Sequence, residues 1–161
     1  MDLLEAKNRI AEALVESIFR RARYDIAPYH AGSAALRFGR EDFSPDFRAS
    51  IPGDNGAPDE RLIEVKYRPS IGQFISVENQ RGERSMFLQA RRQWPALYFV
   101  LVSDRPEPGR SCFQTVPFDR LRAGEPIRTF DLDQLKELRI FRNNVKDHEE
   151  LVRRIMGLLS V

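Results

Sequence analysis

Apolar residues recur every three to four positions near the start of the chain, with Ile10, Ala11, Leu14, Val15, Ile18, Phe19 and Ala22 forming one stripe. That spacing predicts an amphipathic helix over 3–23. A short strand is expected over 24–30, confined to an edge or an end by Pro28. Residues 31–41 show no period and are read as irregular. Two strand-like runs follow, 43–51 and 61–67, and the turn formers between them (Pro52, Gly53, Asp54, Asn55, Gly56, Pro58) make the pair a hairpin.

After Pro69 and Gly72 comes a polar stretch, then Met86, Phe87, Leu88 and Ala90 predict a second helix over 79–93 that Pro95 stops. Residues 96–103 are apolar almost throughout, as a central strand covered on both faces requires. A further strand is expected over 111–118, a short helix capped by Asp131 and running to Leu138, and a closing amphipathic helix over 145–159. Strands and helices therefore interleave in an α/β fold, read as one domain over 1–161, with a core of about 5–118 and a C-terminal helical extension of about 131–161.

Composition narrows the setting. With 42% apolar and 31% charged residues, the 161-residue chain has what a packed domain needs and is not a disordered one. Basic and acidic residues number 26 and 24, so any basic surface must be local. Only Lys7, Lys66, Lys136 and Lys146 are lysines; the other basic residues are arginines. A lone Cys112 makes no internal disulfide, and His30 and His148 cannot assemble a zinc cluster. A cytoplasmic protein is expected, since no signal-peptide pattern opens the chain, and no membrane partner, since no long uncharged apolar run occurs.

The chemistry concentrates at Ser44-Pro45-Asp46-Phe47 and Ile63-Glu64-Val65-Lys66-Tyr67-Arg68. Side chains alternate in a strand, so Glu64 and Lys66 share one face while Ile63, Val65 and Tyr67 take the other. For a hairpin turning near Asn55, paired residue numbers sum to about 110 or 111, which sets Asp46 opposite Glu64 or Val65. Two converging carboxylates repel, and a hard divalent cation with oxygen ligands, Mg²⁺ or Mn²⁺, relieves that repulsion. Such a cation acidifies water and offsets charge on phosphate while a neighbouring ammonium orients the nucleophile, which suits phosphodiester hydrolysis. On the first helix Glu12 lies roughly 105° from the centre of the apolar stripe and Glu16 roughly 145°, so Glu12 is the acid expected to reach the site and Glu16 to face solvent. Glu5-Ala6-Lys7 repeats the acid-x-Lys pattern, but in a helix such residues diverge. Asp42 is a rival to Asp46 on the same strand face.

The helix with Glu12, then Pro45-Asp46, then Glu64-Val65-Lys66 resembles the PD-(D/E)XK nuclease superfamily, with the strand ending Glu-Val-Lys-Tyr-Arg similar to its small endonuclease-like and Holliday-junction-resolvase-like branches. The resemblance spans about 5–103. It implies a restriction-endonuclease-like central mixed sheet flanked by helices, with Asp46, Glu64 and the Val65 carbonyl holding the metal, Lys66 positioning the attacking water and Glu12 as an auxiliary acid. Gln89 would match a polar residue that some branches direct at the site. DNA is the implied partner, with Arg48 and Arg68 near the hairpin and Arg84 and Arg91 on the second helix against its phosphates. Cutting both strands calls for two active sites, which admits a homodimer. The competing readings are a non-catalytic nucleic-acid-binding or assembly subunit that keeps the fold, and a metal-independent binding domain with a fortuitous ion-pair cluster. His30 and His148 are expected at the surface or as caps, Cys112 in the core, and Trp94 sealing the end of the second helix.

Overall fold

The computed structural model describes residues 2–29, 36–38 and 41–160. Asp2 caps the first helix, α1 (Leu3–Arg21), by accepting from the Glu5 backbone N–H, and Arg23, with a φ of 73°, turns the chain out of it. Five residues of its apolar stripe, Ala11, Leu14, Val15, Ile18 and Phe19, are buried. The strands β1 (Asp25–Pro28), β2 (Leu36–Phe38), β3 (Glu41–Phe43), β4 (Phe47–Pro52) and β5 (Pro58–Tyr67) follow. The helices α2 (Ile71–Arg81) and α3 (Met86–Gln93) lead to β6 (Tyr98–Val102), β7 (Phe113–Pro117), β8 (Phe130–Asp131) and α4 (Arg142–Leu159).

Six strands make one mixed sheet in the order β1-β4-β5-β6-β7-β8, and β2 and β3 pair separately. Only β5 and β6 run parallel; the other neighbours are antiparallel. A parallel pair needs a crossover, which α2 and α3 supply. On one face Ile63, Val65, Tyr67, Tyr98, Val100 and Val102 pack with α1 and α4. On the other, Phe99 and Leu101 pack with α3, where the rings of Phe87 and Phe99 meet edge to face at 4.8 Å. Every residue of β6 is buried, as its unbroken apolar run requires. No helix among the described residues is long and apolar enough to cross a membrane.

The structure departs from the sequence reading at definite places. The single helix expected over 79–93 is two. Ser70 caps α2 inside the stretch read as polar, Gly82 with a φ of 56° breaks the chain into a 3-10 turn, and Ser85 caps α3. The joint is held by buried Glu78, which accepts from Ser85 Oγ and the Met86 N–H at 3.0 and 2.7 Å. The run 43–51 is interrupted, because the chain leaves strand geometry at Ser44–Asp46 between β3 and β4. The helix expected over 131–138 is a pair of 3-10 turns, although Asp131 does cap the first with a capping box. His148 is no surface residue: it is 4% exposed, with Nε2 against Ser17 Oγ at 2.8 Å and Nδ1 against the Asn144 carbonyl at 2.7 Å. Cys112 is in the core, where burial pushes its thiol up to about 11, and Trp94 is buried against Phe43 beyond α3.

Candidate active site

The hairpin pairing runs from Pro52–Pro58 to Phe47–Ile63 and there stops, because β4 begins at Phe47. On its other side β5 stays paired with β6 to its last residue, Tyr67. Residues 64–67 therefore lie along an edge that β4 has vacated. Backbone groups alternate sides along a strand, and the Arg68 N–H donates to Val102 on β6, so Val65 and Tyr67 turn their N–H and C=O groups to the vacated edge. Unpaired groups there demand partners, and side chains provide them. Asp46 Oδ2 accepts from the Val65 N–H at 2.7 Å, and Asn8 Oδ1 on α1 accepts from the Tyr67 N–H at 2.8 Å. Asp46 is pinned a second time, its own N–H donating to the Ile63 carbonyl at 2.7 Å.

Four ionisable groups gather at this edge. Glu64 is 1% exposed; its Oε1 accepts from the Val65 N–H at 3.1 Å and lies 3.7 Å from Lys66 Nζ. Burial first, and then a hydrogen bond with Asp46 and that group's charge, hold the Glu64 carboxyl well above its ordinary range. Beside the Asp46 carboxyl, the charged form of the buried Glu64 is disfavoured. Lys66, 16% exposed on its side chain, pulls the other way without prevailing. Half-buried Glu12 accepts from Asn8 Nδ2 at 3.3 Å, and burial, followed by the charge of Asp46, lifts its carboxyl to about 7. Its electrostatic neighbours are Asp46 and Lys66, as a glutamate on the border of the apolar stripe would have.

Asp46, Glu64, Lys66 and Glu12 are thus brought together. The residue the sequence reading missed is Asn8, which joins α1 to β5 and orients Glu12. Its one legible signal is its position a helical turn before Glu12 on the same face. Glu16 sits at the surface, 4.0 Å from Arg20. Gln89 does not turn to the site; its amide donates to the Arg84 carbonyl at 3.2 Å within its own turn. His30 lies outside the described residues, and Asp42 is described in its backbone alone.

The four arginines occupy different surroundings. Arg48 lies 3.6 Å from Glu60 and over the Tyr29 ring, and Arg68 lies over the Phe74 ring while donating to the Tyr67 carbonyl at 2.8 Å. Arg84 is exposed in the 3-10 turn, whereas Arg91 donates to the Leu121 carbonyl at 2.5 Å and so ties α3 to the loop after β7.

Among the described residues no three of His, Cys, Asp and Glu come together as a ready ligand set. The donors at the edge are instead two carboxylates and the Val65 carbonyl, all oxygen. That set fits a cation that keeps several of its waters, and it fits neither a thiolate nor an imidazole metal. A cation there would favour the charged form of Glu64 that burial and the neighbouring Asp46 disfavour. No family model matches the chain, and neither the curated proteins nor the solved structures contain a match to it.

Proposed function

We propose that the protein is a divalent-cation-dependent nuclease of the PD-(D/E)XK kind, with a restriction-endonuclease-like core, hydrolysing phosphodiester bonds in DNA. One observation carries the reading: at the vacated edge of β5 Asp46 binds the Val65 N–H, Glu64 is buried with Lys66 3.7 Å from it, and Glu12 on α1 lies within the electrostatic reach of Asp46 and Lys66. An ion-pair cluster serving stability alone would put its charges in water or pair them fully, and burying Glu64 beside the Asp46 carboxyl, which raises its pKa, does neither.

Asp46, Glu64 and the Val65 carbonyl are the groups that would hold Mg²⁺ or Mn²⁺. When bound, the cation offsets the charge that builds on phosphorus oxygens in the transition state. The remaining work belongs to the chain. Lys66 presents an ammonium beside Glu64, placed to hold the attacking water and to stabilise charge as the water oxygen bonds to phosphorus and the bond from phosphorus to the leaving sugar oxygen breaks, that oxygen taking its proton from solvent. Glu12, with its carboxyl near 7, is poised at neutral pH to take the proton that the water loses, and Asn8 fixes its orientation through the 3.3 Å bond.

The test is cleavage of duplex, single-stranded and branched DNA with Mg²⁺ against EDTA, using wild type and Asp46→Ala, Glu64→Ala and Lys66→Ala shown to be folded by circular dichroism. Divalent-dependent cleavage that falls at least about a hundredfold in each variant is expected. Full activity in any one of them sinks the assignment, and chelator-indifferent binding with no cleavage by wild type would leave a non-catalytic binding subunit.

A further inference from the structure

The outward face of α4 has no part in that chemistry. By helical geometry Glu150, Leu151, Arg154 and Leu158 fall within an arc of about 100°, turned away from the buried stripe of Val145, His148, Val152 and Met156. Leu151 is 44% and Leu158 78% exposed, two turns apart on one line. The bond from Lys7 Nζ to Ser160 Oγ at 3.0 Å sets the start of α1 beside the end of α4, and there Leu3 and Leu4 are exposed as well. Four of the six large apolar side chains exposed among the described residues thus lie on these two helices, a concentration that marks a face to be covered. Independently, the charges of that face are unspent. Glu150 and Arg154 are exposed and one turn apart, yet neither forms an ion pair among the described residues.

The acid lies toward the N-terminal end of this face and the base toward the C-terminal end, with Leu151 between them. A helix so polarised is complementary to its own antiparallel image, which is what an interface between two identical subunits requires. With a two-fold axis beside Val152, facing residue numbers sum to about 304. Glu150 then meets the partner's Arg154, and Arg154 the partner's Glu150. The Leu151 side chains of the two copies lie side by side at the axis, and each Leu158 comes over the early turns of the opposite α4. We propose that this face joins two copies of the chain, α4 against α4 in opposite directions. A lipid surface is a poorer match, since a helix seated on one flanks its leucines with cations and not with both signs. The interface goes beyond the nuclease reading and does not depend on it.

The experiment is sedimentation velocity of the full chain over a concentration series from the micromolar range upward. Wild type is expected to sediment as a dimer and Leu151→Gln to dissociate at least about tenfold more readily. Glu150→Arg and Arg154→Glu, which set like charges against each other across the axis, are each expected to weaken the dimer about as much, and the double variant to restore it. All of these side chains are exposed, so the variants keep the fold, and circular dichroism checks that they do. A wild type that stays monomeric throughout overturns the proposal. So does a dimer that Leu151→Gln leaves intact, or a double variant no tighter than the single ones, for two copies then meet elsewhere. Cleavage does not enter the measurement: a monomer that cuts DNA would leave the nuclease reading standing alone, and a dimer that responds to these variants without cutting would leave the interface standing alone.

Discussion

The two halves of β5 solve the same problem in different ways. From Pro58 to Ile63 its outer edge is satisfied by the β4 backbone, residue against residue. From Glu64 to Tyr67 that edge is satisfied by an aspartate from the loop before β4 and an asparagine from α1. A backbone ladder leaves side chains free to be anything that fits the pleat. A side-chain substitute for the ladder fixes the identity and direction of the substituting residue, because a buried N–H left without a partner costs free energy. The second half is therefore where carboxylates are held in place, and the first is where the sheet is merely continued.

The comparison breaks most visibly at Asn8. Asn8→Ala removes the acceptor for the Tyr67 N–H and the donor to Glu12 together, so a loss of about 1–3 kcal/mol is expected in urea unfolding, with reduced cleavage. Stability equal to wild type would mean that water replaces the amide and that the edge needs no side chain.

A smaller effect separates the halves by pH. The folded-state carboxyl of Glu12 sits near 7 against an ordinary 4.5, so between those values the folded chain holds a proton that the unfolded chain has released. The share of metal-free stability that Glu12 contributes should thus be greatest below about pH 4.5 and fall as the pH rises toward 7, and Glu64, shifted the same way, adds to the fall. Glu12→Gln keeps the bond to Asn8 and removes one share, so its urea midpoint in EDTA should decline less between pH 5 and pH 8 than that of wild type. Parallel declines would show that Glu12 titrates as an ordinary surface acid. The smallest effect belongs to the ladder half: Glu60→Ala breaks an exposed pair with Arg48 and should move stability by no more than about 0.5 kcal/mol, with cleavage unchanged.

How much of this the sequence disclosed follows the same division. Hairpin register depends only on where the turn lies, so Asp46 could be set against Glu64 by counting, and the structure pairs Phe47 with Ile63 at the same residue sum. The angle of Glu12 around α1 likewise needed only the helical period. Asn8 was not legible because its role arises from the place where β4 stops, a tertiary fact with no local pattern. The break between α2 and α3 was hidden because its core residue is Glu78, a buried acid that apolar periodicity does not count. Similarly, His148 is buried by bonds to two helices at once, which no spacing rule predicts. The two-residue β8 and the β2–β3 pair are too short to show a period at all.

The packing of α1 against α4 also bears on the order in which the protein takes shape. Arg21, Ser17 and Lys7 are bonded to Asp147, His148 and Ser160, partners more than a hundred positions later. A chain growing from its N-terminus carries Asp46, Glu64 and Lys66 long before the helix that packs on α1 exists. The edge of β5 that holds Asp46 and Glu64 is consequently packed against a helix whose own seat is complete only once α4 has formed.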